Sequence, residues 1–236
     1  MTIILGAIIA YLWAALPSSY LVARLLKGID LFQYGSGNIG SSNLSIHVGK
    51  VIGIWVGAFD CLAKGALPVL IAKFIGLEIS GQIIMGLIAI AGHNWSPYIK
   101  FKGGRGVATT LGVLLGFLMW REVLILAIFL GIIGWLILKD TGFWTFVTCL
   151  ILIPLTFLFE VILDGKSFDL VYLSLGISTI VFLKRLTANW ERPKSGGSLL
   201  KVLFYRLIYD RDVSRKSNWI NREPSIGNQE ASYGSD

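Results

Sequence analysis

Long apolar runs alternate with short polar, glycine-rich connections along this chain, and that alternation leaves few folds open to it. The runs are Ile3–Leu25, Val51–Ile75, Gly81–Gly92, Val107–Trp120, Glu122–Leu138, Gly142–Val161 and Leu170–Leu186. The first, second, sixth and seventh approach the ~20 residues that cross a hydrocarbon layer. The third and fourth are shorter, and are either extended by the polar segment between them or cross a thinned, cavity-lined region. Over 236 residues, 55% are hydrophobic and 15% charged, whereas a soluble domain carries about 25% charged residues. An all-α, polytopic membrane helical bundle with about seven transmembrane helices is expected. Five or six crossings remain open, because Val107–Leu138 also reads as one hairpin turned at Trp120-Arg121-Glu122. The first run lacks a preceding basic region and a small-x-small cleavage site, so it reads as a retained helix.

Charge orients the bundle. Connections after odd-numbered runs carry Lys27, Lys50, Lys100, Lys102, Arg105 and Lys139, and the tail adds ten more cations from Lys184 to Arg222. The other side offers Lys73, Arg121 and Lys166, each near an acid: Glu78, Glu122 and Asp164. The N-terminus is therefore expected outside and the C-terminus in the cytoplasm, with the protein multi-pass in the cell's inner (plasma) membrane. Residues 1–198 read as the membrane domain. Residues 199–236 read as a basic amphipathic helix on the membrane surface, Leu199–Tyr209, followed by a disordered polar tail from about Asp210. The net charge of +7 suits anionic lipid and anionic substrates, and nucleic acid is not an expected partner.

On this orientation two glycine-rich clusters, far apart in sequence, share the cytoplasmic face. The first is Gly35-Ser36-Gly37-Asn38-Ile39-Gly40-Ser41-Ser42-Asn43. Its glycines permit tight turns, and its hydroxyls and amides offer short polar groups to phosphate oxygens. A polar turn with a helix N-cap at Ser41, Ser42 or Asn43 explains the same residues. The second, Phe101–Thr110, sets Arg105 among Gly103, Gly104 and Gly106, beside Lys102 and just before an apolar helix. An arginine fork at a helix start is suited to an anion. Positive-inside topology explains its charge but not its three glycines.

Asp60 and Lys64, four apart in the second run, share a helix face and read as a structural ion pair. His93 flanks the second cluster, and His47 is peripheral. Cys61 and Cys149 lie in apolar runs as inert thiols without metal-ligand spacing. There is no G-x-S-x-G elbow, P-loop, metal cluster or His-x4-Asp acyltransferase motif, and no repeat of a paired-half transporter. No cofactor or metal is expected.

Taken in order, Pro17–Leu21, Lys27-Gly28-Ile29-Asp30, the GSGNIGSSN loop, Asp60-x3-Lys64-Gly65-x2-Pro68, Gly92-His93 and Phe101–Thr110 resemble the bacterial acyl-phosphate:glycerol-3-phosphate acyltransferases, the PlsY-type membrane enzymes. The resemblance implies a bundle of about seven spans. It also implies transfer of a fatty acyl group from acyl phosphate to the 1-hydroxyl of glycerol 3-phosphate, giving lysophosphatidate without CoA or metal. Carried over by position, Ser36, His93 and Arg105 become catalytic candidates. Gly37, Asn38, Ser42, Asn43, Lys102, Gly103, Gly104 and Asn189 become substrate-binding candidates. The partners implied are acyl phosphate, glycerol 3-phosphate and membrane lipids.

The sequence departs from the family pattern. The arginine expected three residues after Asn43 is Ile46, Arg105 stands where lysine is common, and the His-Arg-x-Asn element is Leu186-Thr187-Ala188-Asn189. Lys184, Arg185 or His47 are candidates for the replacement charge. Two other classes stay open: a non-catalytic or altered-substrate lipid- or phosphate-binding relative, and a small-anion transporter.

Overall fold

The computed structural model describes residues 2–190 and 198–212. Among them the regular structure is helical, apart from one isolated antiparallel bridge between Ser96 and Lys102. The helices are α1 (Thr2–Ala14), α2 (Ser18–Lys27), α3 (Ser41–His47), α4 (Lys50–Phe74), α5 (Ile79–Asn94), α6 (Val107–Gly116), α7 (120–137), α8 (Thr141–Leu163), α9 (Asp169–Thr187) and α10 (Leu199–Tyr209). Four segments are long and apolar enough to cross a membrane: Ile3–Lys27, Lys50–Phe74, Thr141–Leu163 and Asp169–Trp190. Helices α5 and α6 are shorter apolar rods.

The packing is that of a protein bathed in lipid. Large apolar side chains such as Ile4, Trp55, Leu70 and Phe74 face outward. The interior is a narrow seam of Val69, Ile90, Val113, Leu114, Leu152, Leu173 and Ile177. Lipid tails offer no hydrogen bonds, so irregular backbone is tolerated only where protein or a cavity satisfies it. The break at 15–17 obeys this rule. Pro17 cannot donate an N–H, and the exposed Leu16 carbonyl accepts from the Lys64 ammonium. Lys64 also lies 2.7 Å from Asp60 and donates to Ser18 Oγ at 2.9 Å, while Ser18 donates to Asp60 at 2.6 Å. The ion pair read from the sequence is therefore one corner of a network that ties α4 to the break between α1 and α2.

Around this pair α4 widens into a π-helical turn, Asp60–Ala66, against which α6 packs at backbone distance. A Cβ on Gly112 would stand 1.8 Å from the Cys61 carbonyl oxygen, and one on Gly65 would stand 2.3 Å from that of Thr109. This is close helix packing through small residues, as lipid-embedded bundles require.

Two local expectations are revised. The turn after α6 comes at Phe117–Met119, not at Trp120-Arg121-Glu122. Leu118 adopts φ 61°, its N–H reaching Leu115 O and that of Met119 reaching Leu114 O, a Schellman closure of the helix. Helix α10 does not rest on a membrane surface alone. It packs on α8 and α9 and buries Val202 and Arg206, four residues apart on one face, with Leu199, Leu200 and Phe204 outward. An amphipathic pattern does not state whether its inner face meets lipid or protein. The tail is expected to be disordered from about Asp210, but residues 210–212 are fixed by pairs with Arg105, Arg206 and Asp140, and residues 213–236 lie outside the described residues.

At the end of the bundle away from the glycine loops, Arg121 forks onto Asp164, and Lys166 Nζ lies 2.6 Å from Glu160 and 3.3 Å from Asp164. The hydrogen bond from Arg121 holds the Asp164 carboxyl below the usual carboxylate range, and the bond to Glu160 raises the Lys166 ammonium. The Asp164 contribution to stability is thus complete above its unfolded pKa and is lost as pH falls through the lowered folded value. Thermal unfolding of detergent-purified protein should show an acid-side loss of stability that Asp164→Asn flattens. Gly112→Ala should lower stability by about 1–3 kcal/mol through overpacking, measured in the same melts.

Candidate active site

Both glycine clusters reach one cavity. Ser36, Asn38, Ser42 and Asn43 from the first, and Arg105 and Gly106 from the second, line a space of about 350 Å³ together with His93. The rest of its wall includes Ile46 and Asp60, the apolar Val107, Leu111 and Leu130, and a polar arc of Asp140, Thr141, Arg185, Tyr209, Asp210 and Arg211. A volume of this size is typical of small-ligand sites.

Three helix starts open onto it: α3 at Ser41 and Ser42, α6 at Val107 and Ala108, and α8 at Thr141 and Gly142. Unpaired N–H groups and the positive end of the helix dipole favour an anion there. Gly106, with φ 74°, turns the second loop directly into α6. Three guanidinium groups, from Arg105, Arg185 and Arg211, share the same wall.

The first loop is tied from within. The Asn43 amide donates to the carbonyls of Leu31, Tyr34 and Asn38 at 3.3, 3.0 and 2.9 Å. Asn43 touches the cavity, but its amide nitrogen is engaged in shaping the loop. Gly37 sits in an adjoining cleft with Ser36, Arg105, Asn189, Arg206 and Asp210.

The second loop is braced by the end of α9. The Asn189 side-chain oxygen accepts from the Gly103 N–H at 3.0 Å and from the Lys184 ammonium at 2.8 Å. Lys184 also donates to the Asn94 carbonyl and lies 5.4 Å from the centre of the Trp95 ring. Asn189 takes a left-handed conformation, φ 58°, and the Trp190 indole donates to Phe101 O at 3.2 Å. Gly104 N–H donates to the His93 carbonyl at 3.2 Å, and a Cβ on Gly104 would lie 2.1 Å from His93 Nε2. Glycine here is what lets the imidazole and the loop backbone touch. Lys102 does not reach the cavity and stands over the Phe32 ring at 5.0 Å. His47 lies against Tyr34, away from the cavity.

Arg185 is 2% exposed. Its guanidinium donates to Gly142 O and Leu207 O, both at 2.7 Å, and to Ile208 O at 3.3 Å. Of the three residues weighed as replacement charge, Arg185 is the one that lines the cavity. Lys184 is buried behind it. Asp140, Arg211 and Asp210 are site residues that the sequence did not reveal. Their only local signal was charge at the start of α8 and at the end of the basic tail helix.

The comparisons with known proteins agree with this geometry. A family model described as "Glycerol-3-phosphate acyltransferase" matches residues 4–196. The chain belongs to the glycerol-3-phosphate acyltransferase family. A relative named glycerol-3-phosphate acyltransferase 4, from Dehalococcoides mccartyi (strain CBDB1), is 37% identical over 213 residues, covering 90% of each chain. Another from that species (strain ATCC BAA-2266 / KCTC 15142 / 195), glycerol-3-phosphate acyltransferase 5, is 35% identical over 223 residues, 94% of each. Among solved structures, the glycerol 3-phosphate form of PlsY (YgiH), an integral membrane glycerol 3-phosphate acyltransferase, matches with a TM-score of 0.67 and 28% identity. That match covers 78% of this chain and 88% of the other. The lysophosphatidic acid form matches with a TM-score of 0.65 and 27% identity, over 86% and 100%. The fold is therefore that of an integral membrane acyltransferase.

Gly104→Ala should push the His93 ring away from the loop. Acyl transfer by the purified family member is expected to fall at least about tenfold, as a ~1 Å misplacement can cost, with the melting temperature little changed.

Proposed function

We propose that this protein transfers a fatty acyl group to the 1-hydroxyl of glycerol 3-phosphate and releases lysophosphatidate, a step of phospholipid biosynthesis. Acyl phosphate is the donor. The observation that carries the reading is the joining of the two glycine loops in a single cavity, where Arg105 stands beside the open start of α6 and Arg185 and Arg211 share the wall with Asp60, Asp140 and Asp210. Family membership and the related PlsY structures in their glycerol 3-phosphate and lysophosphatidic acid forms support it.

In the reaction the acceptor's 1-hydroxyl oxygen attacks the acyl carbonyl carbon. The bond from that carbon to the phosphate oxygen breaks, an ester forms, and inorganic phosphate leaves. Arg105, the loop N–H groups and the start of α6 stabilise charge on the carbonyl oxygen and on the departing phosphate. Ser36, Gly37, Asn38 and Ser42 orient the two phosphates, while the Gly103 and Gly104 N–H groups are committed to Asn189 and the His93 carbonyl, so that Gly103, Gly104, Asn43 and Asn189 hold the loops in shape. The proton passes to His93, Ser36 or an acceptor phosphate oxygen. Val107, Leu111 and Leu130 give the cavity an apolar flank for the acyl chain. Nothing in this scheme needs an acyl-enzyme.

Seven crossings accommodate the helices: α1 with α2, then α4, α5, α6, α7, α8 and α9. On this topology the N-terminus is outside, and the cavity faces the cytoplasm at the inner membrane. Residues 1–198 form the catalytic membrane domain and 199–236 a cytoplasmic appendage. The clustering of Arg121, Glu160, Asp164 and Lys166 away from the glycine loops favours this orientation.

Purified protein given acyl phosphate and labelled glycerol 3-phosphate should produce labelled lysophosphatidate. Binding without product would identify a non-catalytic relative, and uptake into vesicles a transporter. Arg105→Ala should cut kcat about a hundredfold or more while the protein stays folded, the scale expected for removing one oxyanion donor. Full activity in that variant would overturn the assignment.

A further inference from the structure

The carboxylate of Asp210 occupies the guanidinium that the proposed mechanism assigns to phosphate. Arg105 Nε lies 2.8 Å from one carboxylate oxygen of Asp210 and 2.9 Å from the other. Asp210 follows the last turn of α10, a helix beyond the residues 4–196 matched by the family model. Its backbone is left-handed, φ 57°, and its N–H closes the helix on Arg206 O at 3.0 Å. The same turn is anchored on either side. Arg206 holds Asp212 at 2.6 and 3.0 Å, and Arg211 holds Asp140 at 3.1 Å. Of these three arginine–aspartate pairs, Arg105–Asp210 is the one that joins the tail to the second glycine loop. It is also more exposed than the Arg206–Asp212 pair, at 13% and 19% against 6% and 4%.

We propose that Asp210 is a built-in competitor of the anion site: its carboxylate holds Arg105 until a phosphate of greater charge displaces it. This inference rests on the reading of the cavity as a phosphate site. A carboxylate carries one charge, whereas a phosphate monoester at neutral pH approaches two and offers three acceptor oxygens. A monoanion gains nothing over Asp210, and a phosphate dianion does. The competing carboxylate weakens every anion by the same displacement cost, so a weakly bound monoanion leaves the site empty while a phosphate dianion still fills it. Arg185, fixed by the α10 carbonyls of Leu207 and Ile208, stays in the cavity wall when Asp210 leaves, so the incoming anion meets a second guanidinium.

The test is binding of inorganic phosphate to the purified full chain, read by calorimetry, alongside steady-state kinetics of acyl transfer to glycerol 3-phosphate. Asp210→Asn should bind phosphate about tenfold more tightly, the scale of one charge-assisted hydrogen bond withdrawn from a competitor. It should also lower KM for the acyl phosphate donor, whose phosphate the mechanism places on Arg105, and Asp210→Glu should restore wild-type affinity. A residue that merely holds Arg105 in place predicts the opposite sign, so unchanged or weaker phosphate binding in Asp210→Asn overturns the proposal. On the wild type, hydrogen exchange provides a measurement independent of that variant's folding. Saturating phosphate should accelerate exchange of the amides at 206–212, and unchanged or slowed exchange counts against displacement. If the wild type neither binds phosphate nor transfers acyl groups, the proposed function itself fails, which is a different result from tight wild-type binding that ignores Asp210.

Discussion

Two buried lysines hold the structure where its helices break. Lys64 is 1% exposed and Lys184 fully enclosed, and each ammonium is directed at a backbone carbonyl that a continuous helix would have satisfied, Leu16 O for one and Asn94 O for the other. Taking an ammonium out of water costs several kcal/mol, recovered only where further hydrogen bonds complete it. Ser18 and Asp60 complete Lys64, and the Asn189 oxygen completes Lys184. The interruptions at Leu16–Pro17 and Asn94–Trp95 are therefore built features of an apolar bundle. The cavity lies beside them, because irregular backbone and an aqueous pocket need the same relief from lipid.

A division of labour follows among the cations. The lysines nearest the site are structural, Lys64 and Lys184 in the interior and Lys102 against Phe32. The positive charge lining the cavity belongs to Arg105, Arg185 and Arg211, alongside the carboxylates of Asp60, Asp140 and Asp210. A planar guanidinium can keep some of its donors on carbonyls and still present charge, as Arg185 does between Gly142 and Leu207. An ammonium buried to the same depth has no donors to spare.

Much of this was legible in the sequence, for reasons that can be named. Asp60 and Lys64 stand four apart in a run whose only other charge is Lys73 near its end, so a helix puts them together. The two glycine clusters announce themselves by composition, and the positive-inside rule places them on one face before any contact is known. What the sequence did not reveal depends on packing between distant segments. Nothing around Asp140 or Asp210 beyond their bare charge marks them locally, and the choice of Arg185 among three candidate cations is not made there either; they meet because α8, α9 and α10 pack together, with the α10 end within backbone contact of Gly142. Likewise, the roles of Asn43 and Asn189 are visible only as geometry. A glycine-rich loop lists asparagine as a ligand and a staple alike, and only the three carbonyls around Asn43 and the Gly103 N–H at Asn189 distinguish the two.

The threefold fastening of the first loop has a thermodynamic corollary. A glycine-rich segment is the part of a chain with the most freedom to lose, and ordering it around a solute at each catalytic cycle would drain affinity. Asn43 settles that entropy at folding. The hydroxyls of Ser36 and Ser42 then await their guest at fixed positions, and encounter becomes closer to docking than to moulding.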